Sequence, residues 1–448
     1  MDSIPAFALP LLLAFAPLFT QPTWRRCQLL LFAAILTTGR RTIANLLRTV
    51  AALAPGHLCS YQRVLSQAHW SGLQAAAVLS RFLLRHFWPA GPVPLVGDDT
   101  VTEHRGKQVY GKARHRDAVR SSHSYTAYRY GHKWVTLAIL VRFPFAVRPW
   151  ALPVLVALYR SPQGNQQRGR PHKTPAELMQ LLLRLLRRWF PQRQFLFAGD
   201  SGFGSHEMAN FAQQQQGHLT LVSRFHPKAN LYEPPPVVVG KKNGRPRKKG
   251  AKLPSPEQVV ADAARTRLRV AWYGGGQRHV EVVTGTGQWY KSGSDLVAVR
   301  WVYVHDRSGT HRDDYLYSTA VDLTAQQIIE TYTGRWNIET TFQECRAYLG
   351  LETTRGWCRA TVLRAEPCLL GLYTIVALLY WQLPTVVQED WQVLWLGKEP
   401  MAFSDAITAV RRWLWTDWVF ARVDHGVAFT KLPAVIKEIL LYALAPVA

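Results

Sequence analysis

The chain has 448 residues, enough for two or three domains and a large core. Lysine and arginine number 54 against 29 aspartates and glutamates, giving a net charge of +25, the footprint of a polyanionic partner such as DNA, RNA or an anionic membrane. Five cysteines (27, 59, 345, 358, 368) form no C-x-x-C pair, so no disulfide framework or zinc site follows, and a reducing compartment fits best.

Seventeen tryptophans and seventeen tyrosines offer faces that stack on bases, although most belong in a core. The first 23 residues are apolar, yet Asp2 stands where a signal peptide has basic residues, and prolines occupy 5, 10, 17 and 22. Short buried helical pieces are expected there. Residues 1–90 read as a helical, DNA-binding domain. The segments Thr37–Arg48 and Ser60–Ser66 suggest two helices resembling a helix-turn-helix reader, with Arg40, Arg41 and Arg63 facing phosphate. Small helical domains with a purely structural role look the same.

From residue 91 the pattern changes. Pro94–Gly97 reads as a short buried strand ending at Asp98-Asp99-Thr100, followed by a basic loop with Arg105, Lys107, Lys112, Arg114, His115, Arg116 and Arg120. Residues 134–141 and 151–158 read as two further strands. Thr174-Pro-Ala-Glu177 is a capping box with proline at the first helical position, opening a leucine-rich helix to Phe190. A strand at 195–198 ends at Gly199-Asp200-Ser-Gly. A helix at 205–215 and a strand at 218–225 follow. Strands alternating with helices predict an α/β sheet covered on both faces, with its ligand edge near strand ends.

Residues 226–320 break the pattern. Pro234-Pro-Pro leads into an exposed basic loop, Lys241 to Lys249, whose Gly-Arg-Pro-Arg core resembles a minor-groove hook through Arg245, Arg247 and Lys248. A charged linker fits it equally. Short alternating strands at 268–273, 279–283, 296–304 and 315–318 read as a β-rich insertion domain. Residues 321–385 return to the α/β domain begun at 91–225, and 386–448 form a C-terminal helical region. The uncharged run Leu369–Trp381 reads as a core helix in preference to a membrane span.

The most informative segment is Tyr332 to Arg346. Read as one helix, Tyr332, Arg335, Glu339 and Arg346 fall at roughly 0°, 300°, 340° and 320°. Mixed charges usually mark a solvated face stabilised by pairs four residues apart. Here Ile338, Phe342 and Leu349 pack part of the helix against a core, so the polar stripe lies at a core edge. A carboxylate between guanidiniums and a phenol suits a face that meets a metal ion and a phosphate backbone together. With Asp98 (or Asp99) and Asp200, Glu339 makes three carboxylates on separate elements, a donor set that favours Mg²⁺ or Mn²⁺ over zinc.

This pattern resembles a ribonuclease H-like fold carrying a DDE triad. Tyr332, Arg335 and Glu339 match the Y-(2)-R-(3)-E-(6)-K signature of insertion-sequence transposases of the IS-four superfamily, with Arg346 in the place of the lysine. Asp98-Asp99-Thr100 resembles the family's D-x-T, which favours Asp98. Gly199-Asp200-Ser-Gly-Phe-Gly resembles the second-aspartate segment. The resemblance covers roughly residues 90–385. It implies a mixed α/β sheet flanked by helices and interrupted by a β-rich insertion. It implies two Mg²⁺ (Mn²⁺ substituting) held by Asp98, Asp200 and Glu339. The activity implied is cutting at inverted-repeat ends and joining of the freed 3′-hydroxyl to target DNA. Tyr332, Arg335 and Arg346 would hold phosphate, and an insertion aromatic, Tyr315 or Trp301, would receive a flipped base. A homodimer on double-stranded DNA in the cytoplasm, at the nucleoid and with no membrane, is expected. Rival readings are a structure-specific nuclease of the same fold, a non-catalytic DNA-binding derivative and a membrane-associated basic protein.

Overall fold

The computed structural model describes residues 4, 6–117, 120–236, 247–390, 401–423 and 427–446. A mixed eleven-stranded sheet is flanked by helices, the α/β class expected. In chain order the strands are β1 (Val93–Glu103), β2 (Ala113–Arg116), β3 (Tyr128–Val141), β4 (Trp150–Tyr159), β5 (Phe195–Gly199) and β6 (Leu219–Arg224). They continue with β7 (Leu231–Tyr232), β8 (Thr266–Ala271), β9 (Gln277–Trp289), β10 (Val297–Asp306) and β11 (Asp314–Ser318). The path across the sheet is β2-β3-β1-β5-β6-β11-β10-β9-β7, with β4 also on β3 and β8 also on β9. Among the described residues only the β1–β5 and β5–β6 pairings are parallel.

β1 does not stop at Asp98. It runs on to Glu103 because β3 starts at Tyr128 and pairs with it antiparallel from Leu95↔Ile139 to Glu103↔Gly131. Its parallel partnership with β5 ends at Gly97↔Gly199. One neighbour therefore releases β1 at Asp98 while the other continues, which opens a notch in the sheet beside the two aspartates. Gly97 permits a close approach there: a Cβ would lie 2.4 Å from Met179 Cε and 2.7 Å from the Phe197 ring.

The predicted capping box forms. Thr174 N donates to Glu177 Oε2 at 2.7 Å, and Glu177 N to Thr174 Oγ1 at 3.2 Å. The Pro175–Trp189 helix then buries Met179, Leu182, Leu183 and Leu186, one face at helical spacing, against β3 and β4. Among the described residues, the strands after 226 form no separate sheet. β11 pairs with β6, so the β-rich segment extends the central sheet.

The segment expected as one helix is two, Ala325–Gly334 and Asn337–Leu349. Between them Arg335 N donates to Tyr332 O, Trp336 N to Thr333 O and Ile338 N to Arg335 O, a tight i→i+3 turn after Gly334. The Arg359–Gln382 helix is long and apolar enough to cross a membrane, with a mean hydropathy of 1.7 in its most apolar window, yet 67% of that window is buried within the protein. It packs on β4 and on the Phe403–Trp413 helix, with Leu370, Tyr373, Val376 and Tyr380 wholly enclosed. Near the N-terminus Leu11 and Leu12 are buried core residues in short helical pieces.

Candidate active site

Asp98 and Asp200 are brought together by the sheet register. Each is the residue after the last paired glycine of two adjacent parallel strands. Asp200 caps a short turn, its Oδ1 accepting from Gly202 N at 2.9 Å. Glu339 arrives from the Asn337–Leu349 helix. One guanidinium spans the gap: Arg335 Nη1 donates to Asp98 Oδ2 at 3.1 Å and Nη2 to Glu339 Oε1 at 2.9 Å. The break in the helix places Arg335 at the turn, where its side chain reaches both acids.

Electrostatics mark Asp98 as a strained anion. Burial pushes its pKa up to about 7, the Arg335 charge opposes that, and Asp200 and Asp99 add to it. Asp99 faces the other way, as strand alternation requires. Its oxygens bind Lys133 Nζ at 3.0 and 3.1 Å. The geometry thus separates the two candidates, and Asp98 is the one that shares a cation with Glu339.

The remaining predicted residues divide. Tyr332 is 3% exposed, its ring about 6 Å from the Arg224 and Arg335 guanidiniums. Arg346 is engaged within the protein: Nε binds Glu352 Oε1 at 2.9 Å, Nη1 the Phe342 carbonyl and Nη2 both Thr100 Oγ1 and the Val101 carbonyl. It fastens the Glu339 helix to the Asp98 strand instead of reaching outward. Arg40 and Arg63 are exposed, and Arg63 lines a groove with Arg26, Ser60 and Gln67. Arg41 does not face phosphate. It is 5% exposed, bonded to the carbonyls of Ala34, Gly39 and Tyr348, and burial followed by the nearby Arg411 lowers its pKa to about 9. Arg247 and Lys248 are exposed, while Arg245 lies outside the described residues.

Neither aromatic candidate stands free for a base. Trp301 is 2% exposed and fills the space above Gly285, where a Cβ would come within 2.8 Å of its ring. Tyr315 is half-buried against Tyr303, with ring centroids 5.1 Å apart. Sequence reasoning missed Arg224. It ends β6, binds Asp314 Oδ2 at 2.8 Å and keeps a half-exposed guanidinium beside Tyr332. Its place at a strand end next to β5 was the available signal.

Residues 14–279, more than half the chain, match the DDE superfamily endonuclease family. The chain belongs to that family. The match spans both aspartates. Residues 259–370, which carry Tyr332 to Arg346, match the archaeal putative transposase ISC1217 family. A solved piggyBac transposase synaptic complex with hairpin DNA aligns over 95% of this chain and 76% of its own, at 12% identity and a TM-score of 0.40. No curated protein matches the sequence. As a DDE endonuclease, the chain has a donor set that fits its family's divalent ions: the three acids offer only oxygens, and the site already accommodates a cation between Asp98 and Glu339.

Proposed function

We propose that this protein is a DNA transposase that cuts at the inverted-repeat ends of its element and joins the freed 3′-hydroxyl to target DNA. The observation that carries this reading is the convergence of Asp98, Asp200 and Glu339 on one edge of the sheet with Arg335 between two of them. The match of residues 259–370 to a transposase family supports transposition over general nuclease action. Asp98, Asp200 and Glu339 would hold two Mg²⁺ or Mn²⁺, which would supply water activation and charge stabilisation for an in-line phosphoryl transfer.

The chain's own groups do the positioning. Water oxygen bonds to phosphorus as the strand's 3′-oxygen leaves and takes a proton. In the joining step that 3′-hydroxyl forms the new P–O bond and another strand oxygen leaves. Arg335 holds the two acids at their working separation, and exchange of its fork from carboxylate to phosphate gives the scissile strand a bidentate contact. Arg224, half-exposed beside the buried Tyr332 ring, is placed for a neighbouring phosphate, while Arg346 acts as a positioning residue. Outside the site, Arg40, Arg63, Arg247 and Lys248 hold duplex phosphates, and the protein works as a homodimer on paired ends.

The test uses labelled DNA carrying the ends that flank the element, incubated with Mg²⁺. Wild-type protein is expected to cut and join, and Glu339→Gln to bind with unchanged affinity but to cut at least 100-fold more slowly. Equal cutting by both proteins removes Glu339 from the chemistry and the reading with it.

A further inference from the structure

A second cluster of ligand-type side chains lies apart from the three acids. Thr102 near the end of β1, His104 just beyond it, His132 and Trp134 on β3, and Glu366 on the Arg359–Gln382 helix converge in the interior. His104, His132 and Glu366 are 8%, 1% and 1% exposed. Each offers one ligand atom, and the three atoms lie within 4.8 Å of one another.

The hydrogen bonds around the cluster fix its chemistry. His132 Nε2 lies 2.9 Å from the Tyr110 carbonyl, which accepts only, so the ring proton sits on Nε2. In the neutral ring His132 Nδ1 is then a bare lone pair. It is buried and faces Glu366 Oε2 at 3.5 Å, longer than an ordinary hydrogen bond. Two acceptors held face to face away from water repel unless a proton or a metal cation lies between them. Glu366 Oε1 lies against His104 Nε2, which must give up its proton to act as a ligand. Its Oε2 accepts from Thr102 Oγ1 at 2.8 Å and from Trp134 Nε1. A ligating histidine whose far N–H donates to a backbone carbonyl, and a ligating carboxylate pinned by neighbouring donors, are the outer shell that metal sites require.

We propose that His104, His132 and Glu366 bind one divalent transition ion of the zinc class, with a structural role. Two imidazoles and a carboxylate suit Zn²⁺ and not Mg²⁺, which favours oxygen alone. The ion fastens β1, which carries Asp98, through β3 to the helix that follows Glu339. The site is chemically distinct from the all-oxygen acid triad, and it stands whether or not the transposase reading does.

The experiment is elemental analysis of full-length protein purified without chelator, followed by stripping and titration with Zn²⁺ or Co²⁺ in millimolar Mg²⁺. About one equivalent of zinc per chain is expected. The Co²⁺ form should show visible d–d absorption between roughly 500 and 650 nm, and stripping should lower the melting temperature. His132→Gln should lose the cobalt spectrum, while Glu339→Gln keeps it. If His132→Gln fails to fold, the wild-type titration alone decides. Wild type that takes up no Zn²⁺ or Co²⁺, with a melting temperature indifferent to chelator, overturns the proposal and leaves a protonated His132 paired with Glu366. A cobalt spectrum that persists in folded His132→Gln overturns it as well.

Discussion

Arg335 has the most to do for a single side chain. It is 9% exposed and bridges two carboxylates that would otherwise face each other and Asp200 uncompensated. Removing one partner of a buried pair costs about 3–5 kcal/mol, which here is discounted to about 2–3 because the Glu339 side chain is 39% exposed. Arg335→Met should therefore melt several degrees lower in EDTA. Millimolar Mg²⁺ should restore more of that loss than it adds to wild type, since the ions replace the missing charge. Equal Mg²⁺ effects on both proteins, read by thermal scanning, would show that Arg335 does not stand between the acids. Asp306 gives a cleaner titration away from the site. Burial alone would raise its pKa, but Ser308 N, Ser308 Oγ, Thr310 Oγ1 and His311 N all donate to it at 2.8–3.1 Å and hold it down near 2. Its folded pKa lies below the unfolded value near 4, so its contribution, about 2 kcal/mol, is present above pH 4 and fades as pH falls toward 2. Asp306→Asn should cost about that much at pH 7 in denaturant melts, and the gap should narrow at pH 3. A gap that does not change with pH would mean the carboxylate's charge is not what the turn uses.

At the scale of elements, β1 and β3 carry both the Asp98 notch and the His–Glu cluster, so their pairing controls two sites. Gly131 is where it is least forgiving. Opposite Glu103, a Cβ there would fall 1.8 Å from the Thr102 carbonyl oxygen, a backbone atom that cannot yield without breaking the ladder. Gly131→Ala should lower stability by about 3 kcal/mol or more and reduce DNA cutting with it, whereas Gly169→Ala, with nothing within 4 Å, should cost little beyond its positive φ of 60°. A Gly131→Ala protein as stable as wild type would contradict the strand register. These elements also show what a sequence makes visible. Thr174 and Glu177 announced their helix because a capping box is local chemistry. The placing of Asp98, Asp200 and Glu339 near one another was legible because motif spacing survives even where the backbone reading is imperfect. The end of β1 was misplaced because Asp98-Asp99-Thr100 looks like a turn, and only its distant partner β3 keeps it extended. The helix break at Arg335 was hidden because its tight turn barely disturbs the 3.6-residue periodicity, with Gly334 as its one local sign. Trp301 could not be told from an exposed aromatic, since what buries it is the space left by Gly285 on β9. His104 and Glu366 are 262 positions apart, and nothing in the sequence couples them.

The whole molecule is strongly basic, and part of that charge is interleaved with exposed aromatics. On β2 the strand alternation turns Arg114 and Arg116 outward and His115 inward. Arg114 lies 3.6 Å over the Tyr128 ring, and Tyr125, Tyr128, Tyr130 and Trp357 are all about half or more exposed. Tyr110 is flanked by the Arg160 and Arg168 guanidiniums at 4.7 and 4.5 Å, with Arg359 Nε donating to its hydroxyl at 3.2 Å. Such a surface offers phosphate contacts from the arginines and stacking faces from the rings, so it suits a nucleic acid better than a lipid headgroup layer alone. Each phosphate neutralised releases counterions, and the logarithm of the binding constant falls by about 0.9 per contact for each decade of salt. A protein making about 6–10 such contacts should lose roughly 10³–10⁵ in affinity between 50 and 200 mM salt. Arg114→Glu with Arg116→Glu should weaken binding to end-containing and unrelated duplexes alike, and should make the salt slope shallower by about one for each arginine lost. The readout is fluorescence anisotropy across a salt series, with circular dichroism to verify folding. If the double variant binds with the wild-type slope, the β2 face does not touch DNA. If wild type itself shows no salt dependence, the net charge of +25 is not a record of contact with phosphate.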